Sequence, residues 1–138
     1  SGGEKRRVAI AGILAYHPSY LIIDEPTAGL DPAGALALMD LFEKIHQEGT
    51  TIILVTHDMN LVLRYCDKVI VMDQGKIARI STPTELFSED MERFSLETPL
   101  LYSFITQLKQ RGMELDEGKI VDCQTLAQQI ASIKEKAL

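Results

Sequence analysis

The first part of the sequence alternates between helical and strand patterns, and this alternation constrains the fold more than any other feature. Two short apolar runs, Tyr20–Asp24 and Thr51–Val55, lack polar alternation, as expected for strands buried on both faces of a sheet. Patterns typical of helices occur at residues 4–16, 32–48 and 59–65. This order of elements is typical of a parallel sheet covered by helices, so we predict an α/β fold.

The second of these helices carries the clearest signals. Asp31 has a side chain suited to an N-cap, and Pro32 follows it at the first helical position, where its missing N–H costs nothing. Gly49 is suited to end the helix. Between them, apolar residues recur at helical spacing, at Leu38, Leu41, Phe42 and Ile45. The pattern predicts an amphipathic helix with one buried face. Asp58 is the expected cap of the third helix.

The sequence changes character near residue 81. Two apolar runs within residues 69–80 flank Gln74-Gly75 and predict a hairpin, and residues 82–85 form a capping box that predicts a helix to about Phe87. After an acidic connector the apolar residues follow helical spacing only, at Leu101, Phe104, Ile105, Leu108, Leu126, Ile130 and Ile133. We therefore predict two domains, residues 1–87 and a helical extension at residues 88–138.

Composition excludes several classes of function. The formal net charge is -6, and an acidic chain is poorly suited to the phosphate backbone, so no nucleic-acid partner is expected. Cys66 and Cys123 lie outside any metal-binding or paired-cysteine pattern, which favours two reduced thiols in a cytosolic protein. No apolar run approaches the length that spans a bilayer.

Two adjacent carboxylates, Asp24 and Glu25, directly follow the first predicted strand. Ligands of open α/β sheets bind at this carboxyl edge. One carboxylate could hold a hydrated Mg²⁺ while the other polarises water, which is the division that phosphoryl transfer requires. The alternative, that the pair only makes a turn polar, is disfavoured by the buried strand before it and by the Pro-Thr after it.

The next strand also ends in polar residues, Thr56, His57 and Asp58. A histidine there could donate to a phosphate oxygen or orient a nearby carboxylate. Taken alone, His57 would more often be a turn residue beside a helix cap. Two consecutive strands that deliver polar groups to one edge favour a functional role.

The segment Ser1, Gly2 and Gly3 precedes the first helix. Small residues at a helix N-terminus let backbone N–H groups approach an anion, although three such residues are equally compatible with an irregular start. The sequence contains no pattern of the type GxxxxGK[ST], so nothing in these 138 residues would wrap a triphosphate.

Taken together, these segments resemble the second half of an ATP-binding cassette ATPase. Residues 1–7 (SGGEKRR) resemble the signature motif without its leading Leu, with Glu4 where Gln is more usual. Residues 21–27 (LIIDEPT) resemble the Walker B segment, and residues 28–31 (AGLD) resemble the D-loop. Residues 56–58 (THD) resemble the switch-histidine loop.

Within that family, residues 6–12 (RRVAIAG) and 25–32 (EPTAGLDP) look most like the energy-coupling-factor importers of vitamins and of cobalt or nickel. Residues 100–112 resemble the short C-terminal helical extension of those proteins. Ser81, which stands where a glycine is expected before Thr82, is a small departure. The resemblance implies part of a P-loop NTPase parallel sheet with flanking helices, followed by a small helical extension.

The resemblance also assigns roles to named residues. Asp24 would support Mg²⁺ through water, Glu25 would polarise the attacking water, and His57 would contact the γ-phosphate of ATP. The segment Ser1, Gly2 and Gly3 would bind the γ-phosphate of a nucleotide held by the other subunit of a head-to-tail dimer. Asp31 would cross that interface.

By the same resemblance the partners are a second ATPase subunit, identical or related, a transmembrane coupling subunit and a substrate-binding membrane subunit. The location is peripheral, at the cytoplasmic face of the cell membrane. The missing phosphate loop leads us to expect a C-terminal portion of a chain roughly twice this length. The phosphate-loop strand would lie between residues 51–55 and 69–72, so its absence would expose unpaired edges and apolar faces.

Two other functions stay open. The first is a cassette ATPase that acts on DNA or on the ribosome, which should carry long heptad coiled coils or strongly basic arms. The second is a non-enzymatic module in which the helices from Leu100 onward dimerise.

Overall fold

A computed structural model describes residues 2–88 and 91–136. The regular elements, in chain order, are α1 (Gly2–Leu14), β1 (Tyr20–Asp24), α2 (Pro32–Gln47), β2 (Thr51–Val55), α3 (Met59–Tyr65), β3 (Val69–Asp73), β4 (Lys76–Ser81), α4 (Pro83–Phe87), α5 (Leu100–Gln110) and α6 (Cys123–Lys136). Short 3-10 turns lie at Met91–Phe94 and Glu117–Lys119. The predicted α/β class is confirmed. The chain forms two compact units that divide between His57 and Asp58.

The first unit contains a parallel pair of strands. β1 and β2 pair in register from Tyr20 opposite Thr51 to Asp24 opposite Val55. Alternate residues of a strand point to opposite faces, and the face that includes Leu21 packs inward. The core of this unit comprises Ile10, Leu21, Pro26, Leu38, Met39, Phe42 and Ile45. The predicted apolar face of α2 is therefore the buried one.

The other face of the β1–β2 pair is apolar and exposed. Ile22 is 68% exposed, and Tyr20, Ile53 and Val55 are exposed on the same face. The expectation that both faces would be buried is wrong for the described residues. Burial of a large aliphatic side chain stabilises a fold by about 2 kcal/mol. The exposed side chains on this face do not contribute that stabilisation. The exposure agrees with the expectation of apolar faces left uncovered.

The second unit begins with the predicted hairpin. β3 and β4 pair antiparallel, with a register shift between Val71 and Met72, and they form a sheet separate from that of β1 and β2. Gln74 and Gly75 both have positive φ, at 48° and 75°. Two positive φ values in a two-residue loop match the twist of antiparallel strands. The hairpin prediction at Gln74-Gly75 is confirmed.

The predicted domain boundary after residue 87 does not coincide with the division at His57. One core cluster in the second unit includes Met59, Val62, Leu63, Val71, Leu86, Phe87, Met91 and Tyr102. Phe87 and Tyr102 pack with ring centroids 5.5 Å apart, across the predicted boundary. The acidic charge of residues 88–98 predicts a connector, but Met91 within it is buried and packs in this cluster.

A second cluster joins α5, its following loop and α6, through Ile105, Leu115, Ile120 and Leu126. The Asp122 carboxylate accepts a hydrogen bond from the backbone N–H of Thr125 at 2.8 Å in the first turn of α6. That hydrogen bond lowers the pKa of Asp122. Among the described helices, none is both long and apolar enough to cross a membrane.

Candidate functional site

The carboxyl ends of β1 and β2 bring polar residues together in the first unit. Asp24 is the last residue of β1 and pairs with Val55, the last residue of β2. Glu25 follows Asp24 directly, and His57 lies two residues beyond Val55. Because the strands are parallel, both segments leave the sheet at the same edge, where ligands of open α/β sheets bind.

Glu25 and His57 are in direct contact at this edge. The His57 Nδ1 lies 2.7 Å from the Glu25 Oε1, and the backbone N–H of His57 donates to the same oxygen at 3.2 Å. The His57 side chain is 86% exposed and that of Glu25 is 36% exposed. Of the two roles that the sequence allowed His57, the structure contains the contact with a carboxylate. The catalytic assignment of the pair stays a prediction.

The ring nitrogens of His57 have different surroundings. When Nδ1 carries the proton, it donates to the Glu25 carboxylate, and the neutral ring then leaves Nε2 as an acceptor. An imidazolium donates from both nitrogens, so it could hold the carboxylate and a phosphate oxygen at once. The pair can therefore connect a carboxylate to an incoming anion.

The backbone of Glu25 continues the sheet but turns sharply. Its N–H donates to the Val55 carbonyl at 2.9 Å, and its carbonyl accepts from the Ala28 N–H at 3.2 Å. Its φ is +43°, in the left-handed region that residues other than glycine rarely adopt. Pro26, which follows, is among the most completely buried side chains.

Asp24 is exposed at the end of β1 and suits a supporting role toward a cation. Among the described residues no group of three or more His, Cys, Asp or Glu side chains could hold a metal ion. A single carboxylate that acts through water fits Mg²⁺, which keeps several waters and takes its other ligands from substrate phosphates.

Asp31 lies in the turn before α2 and is engaged with its own helix. Its carboxylate accepts from the Gly34 N–H at 2.7 Å, which confirms the predicted N-cap. A Cβ on Gly34 would lie 2.6 Å from the Asp31 Oδ1, so a larger residue there would force the Asp31 carboxylate to shift. Sequence reasoning missed Gly34, because a glycine inside a helical pattern usually signals weakness rather than a tight contact.

The remaining predicted site residues lie at the chain start. Gly2 and Gly3 form the first turn of α1, so their backbone N–H groups belong to a helix N-terminus. Ser1 lies outside the described residues. Among the predicted site residues, the described side-chain contact joins Glu25 to His57, while Asp31 caps its own helix.

The chain is similar to several known proteins. A family profile described as "AAA domain, putative AbiEii toxin, Type IV TA system" matches residues 1–64. Several curated relatives are called energy-coupling factor transporter ATP-binding protein EcfA2. The one from Methanospirillum hungatei is 49% identical over 116 residues, which are 83% of this chain and 29% of the relative. The one from Streptococcus pneumoniae serotype 2 is 50% identical, over 82% of this chain and 41% of the relative.

The EcfA2 protein of Lactiplantibacillus plantarum is 40% identical over all of this chain and 48% of its own length. The chain thus spans less than half the length of each of these relatives.

Two solved structures share the fold. The cbiO1 protein of Clostridium perfringens, part of the ABC transporter complex cbiONQ, matches with a TM-score of 0.58 and 43% identity, over 77% of this chain and 43% of that chain. The ATP-binding cassette MJ0796, in a dimeric post-hydrolysis state bound to ADP and Pi, matches with a TM-score of 0.54 and 34% identity, over 60% of this chain and 36% of that chain. By sequence identity over most of its length and by this shared fold, the chain is similar to part of the ATP-binding cassette ATPases, and in particular to their energy-coupling factor members.

Proposed function

We propose that this chain contributes the water-activating and phosphate-sensing residues of an ATPase that energises a membrane importer of vitamins or transition-metal ions. The single observation that carries the proposal is the Glu25–His57 contact at the carboxyl edge of a parallel strand pair. It supplies a carboxylate next to a group that can bind an anion, and phosphoryl transfer needs both. The names of the relatives and the cassette fold support the same activity.

In this proposal Glu25 accepts a hydrogen bond from the attacking water and orients it toward the γ-phosphate. His57 holds the Glu25 carboxylate through Nδ1 and, as an imidazolium, donates to a γ-phosphate oxygen through Nε2. Asp24 holds a water of the Mg²⁺ hydration shell. When bound, Mg²⁺ neutralises charge on the phosphates.

The nucleotide itself would be held by a phosphate loop outside these 138 residues. The segment Ser1, Gly2 and Gly3 would face the nucleotide of a second ATPase subunit, and Asp31 would lie at that interface. The name of the cbiO1 neighbour, which describes it as part of a transporter complex, supports assembly with membrane subunits. We place the complex at the cytoplasmic face of the cell membrane.

The test uses a chimera in which residues 1–138 replace the matching part of the Streptococcus pneumoniae EcfA2 relative. Glu25→Gln should lower ATP turnover by about a hundredfold or more, because the general base is lost, while ATP affinity stays within about twofold. Glu43→Gln, an exposed carboxylate on α2, is the matched control and should leave turnover unchanged. If Glu25→Gln retains turnover within a few-fold of the parent chimera, the role proposed for Glu25 is wrong.

A further inference from the structure

The backbone of Glu25 is strained in a way that sequence rules do not anticipate. Its φ of +43° lies in the left-handed region, which costs free energy for any residue with a Cβ. Pro26 follows, and a proline pushes the preceding residue toward extended conformations. A glycine would occupy this position more easily, so the presence of glutamate there needs an explanation.

Three contacts hold Glu25 in this conformation. Its N–H donates to the Val55 carbonyl at 2.9 Å, which ties it to the end of β2. Its carbonyl accepts from the Ala28 N–H at 3.2 Å, which closes the following turn. Pro26 is fully buried in the core of the first unit, which fixes the chain direction after Glu25. Strained residues persist when the surrounding structure determines them in this way.

The left-handed turn also decides where the carboxylate lies. Side chains in a strand alternate between faces, so an extended Glu25 would simply continue the alternation of β1 after Asp24. Instead the chain turns at Glu25, and its Oε1 meets both the imidazole and the backbone N–H of His57. Asp24 stays in the strand, exposed and paired with Val55. The turn therefore separates two adjacent carboxylates into different surroundings.

We propose that the left-handed backbone of Glu25 is a built-in positioning device that brings its carboxylate to His57 at a cost to fold stability, with Pro26 as the positioning residue. The strain is independent of any reaction. Its benefit to catalysis rests on the proposed function.

The backbone strain at Glu25 can be tested by measuring folding stability, without an activity assay. In urea denaturation of the 138-residue chain, Glu25→Gly should have an unfolding equilibrium constant about fivefold smaller than Glu25→Ala, because only glycine adopts positive φ without strain. At Asp24, in the strand, the order should reverse, with Asp24→Ala more stable than Asp24→Gly. Gln74, with φ of 48°, is the positive control and should follow the order seen at Glu25. If Glu25→Ala is as stable as Glu25→Gly or more so, the proposal is overturned.

The positioning is tested at His57. Pro26→Ala removes most of the buried ring that fixes the chain direction after Glu25, so the Glu25 carboxylate should be held less firmly against His57. Amide hydrogen exchange at the His57 N–H, which donates to Glu25 in the parent, should therefore speed up about tenfold. Pro32→Ala, at the exposed first position of α2, is the matched control and should leave that amide unchanged. Unchanged exchange in Pro26→Ala would show that the proline is not a positioning residue.

The same variants in the chimera separate this proposal from the proposed function. Pro26→Ala should lower kcat about tenfold with KM for ATP unchanged, because binding does not use the Glu25 carboxylate. A parent chimera without ATPase activity would count against the proposed function only, since the stability order and the His57 exchange need no turnover. An unstrained Glu25 in an active chimera would overturn the positioning proposal only. If the 138-residue chain unfolds without a cooperative transition, the stability order is measured in the chimera.

Discussion

One oxygen of Glu25, Oε1, accepts from two donors on His57, the imidazole Nδ1 at 2.7 Å and the backbone N–H at 3.2 Å. The backbone donor is fixed by its position two residues after β2, so the carboxylate is placed relative to the strand ladder as well as to the ring. Groups that share a hydrogen bond in this way act as a unit, and their effects on turnover should not multiply.

We predict strong non-additivity between these two residues in the chimera. Glu25→Gln and His57→Ala should each lower ATP turnover by about a hundredfold. The turnover of the double variant should lie within about fivefold of that of the less active single variant. Steady-state kinetics at saturating ATP measures all three. His46→Ala, on an exposed histidine at the end of α2, is the control partner and should have no effect in either background. If the double variant loses turnover by the product of the two single losses, Glu25 and His57 do not act as a unit.

The strands and the Asp31 cap of the first unit, and the hairpin of the second unit, were predictable because local chemistry determines them. Tyr20–Asp24 and Thr51–Val55 have the bounds that their apolar runs predict, since polar or turn residues flank both. The Asp31 cap and the Gln74-Gly75 hairpin also follow from side chains within a few residues. The convergence of Glu25 and His57 needed one further step, the parallel pairing of neighbouring strands.

The features that escaped prediction depend on distant contacts or contradict local preference. The left-handed φ of Glu25 opposes the rule for residues before proline and is held by Val55, 30 positions away along the chain. The packing of Phe87 against Tyr102 joins residues on either side of the predicted boundary. A change in charge near residue 88 reports solvent exposure and gives no information on which apolar residues meet.

The Tyr102 hydroxyl should contribute to stability in the second unit. It lies 3.1 Å from the Glu117 Oε2 and 3.3 Å from the Thr84 carbonyl oxygen, and Glu117 also pairs with Lys109 at 2.6 Å. Tyr102→Phe should lower the free energy of unfolding by about 1 kcal/mol at neutral pH, because it removes a donor to partly buried acceptors. Urea denaturation measures this loss. Tyr16→Phe, on a side chain that is 88% exposed, should change stability by less than about 0.5 kcal/mol.

The same tyrosine should make the free energy of unfolding depend on pH in the alkaline range. Burial, together with the hydrogen bond to Glu117 and its charge, raises the pKa of Tyr102 from 10.0 to about 12. A raised pKa means that its contribution is fully present below about pH 10 and is lost as pH rises through about 12. The difference in unfolding free energy between the parent and Tyr102→Phe should therefore shrink over that range. A constant difference would show that the folded environment does not disfavour the ionised form.

The Ser81 hydroxyl should lower the stability of the second unit. It is 8% exposed at the end of β4, and within residues 2–88 and 91–136 its Oγ has no hydrogen-bond partner. A buried hydroxyl without a partner destabilises the fold, so Ser81→Ala should raise the free energy of unfolding by about 1 kcal/mol. Thermal and urea denaturation would both report it. Ser88→Ala removes a hydroxyl that donates to the Glu85 carbonyl at 2.7 Å and should not stabilise. A loss of stability in Ser81→Ala would indicate that the hydroxyl is bonded.

The capping box of α4 predicts an acid-sensitive contribution to stability. The Thr82 N–H donates to the Glu85 Oε2 at 2.8 Å, and the Glu85 N–H donates to the Thr82 Oγ1 at 3.3 Å. The pKa of Glu85 is lowered from 4.5, mainly by the hydrogen bond from the Thr82 backbone and to a smaller extent by a hydrogen bond with the Thr82 side chain. A lowered pKa means that the contribution is present above the unfolded value and is lost as pH falls through the folded one.

Glu85→Ala should therefore be less stable than the parent at about pH 7, and the difference should shrink as pH falls below the ordinary carboxyl value of 4.5. Urea denaturation across that range, with the parent measured at each pH, gives the difference directly. Glu85→Gln keeps an oxygen that accepts from the Thr82 N–H, so at neutral pH it should lose less stability than Glu85→Ala does. A Glu85→Ala difference that stays constant from neutral to acid pH would mean that α4 draws no stability from the charge of this carboxylate.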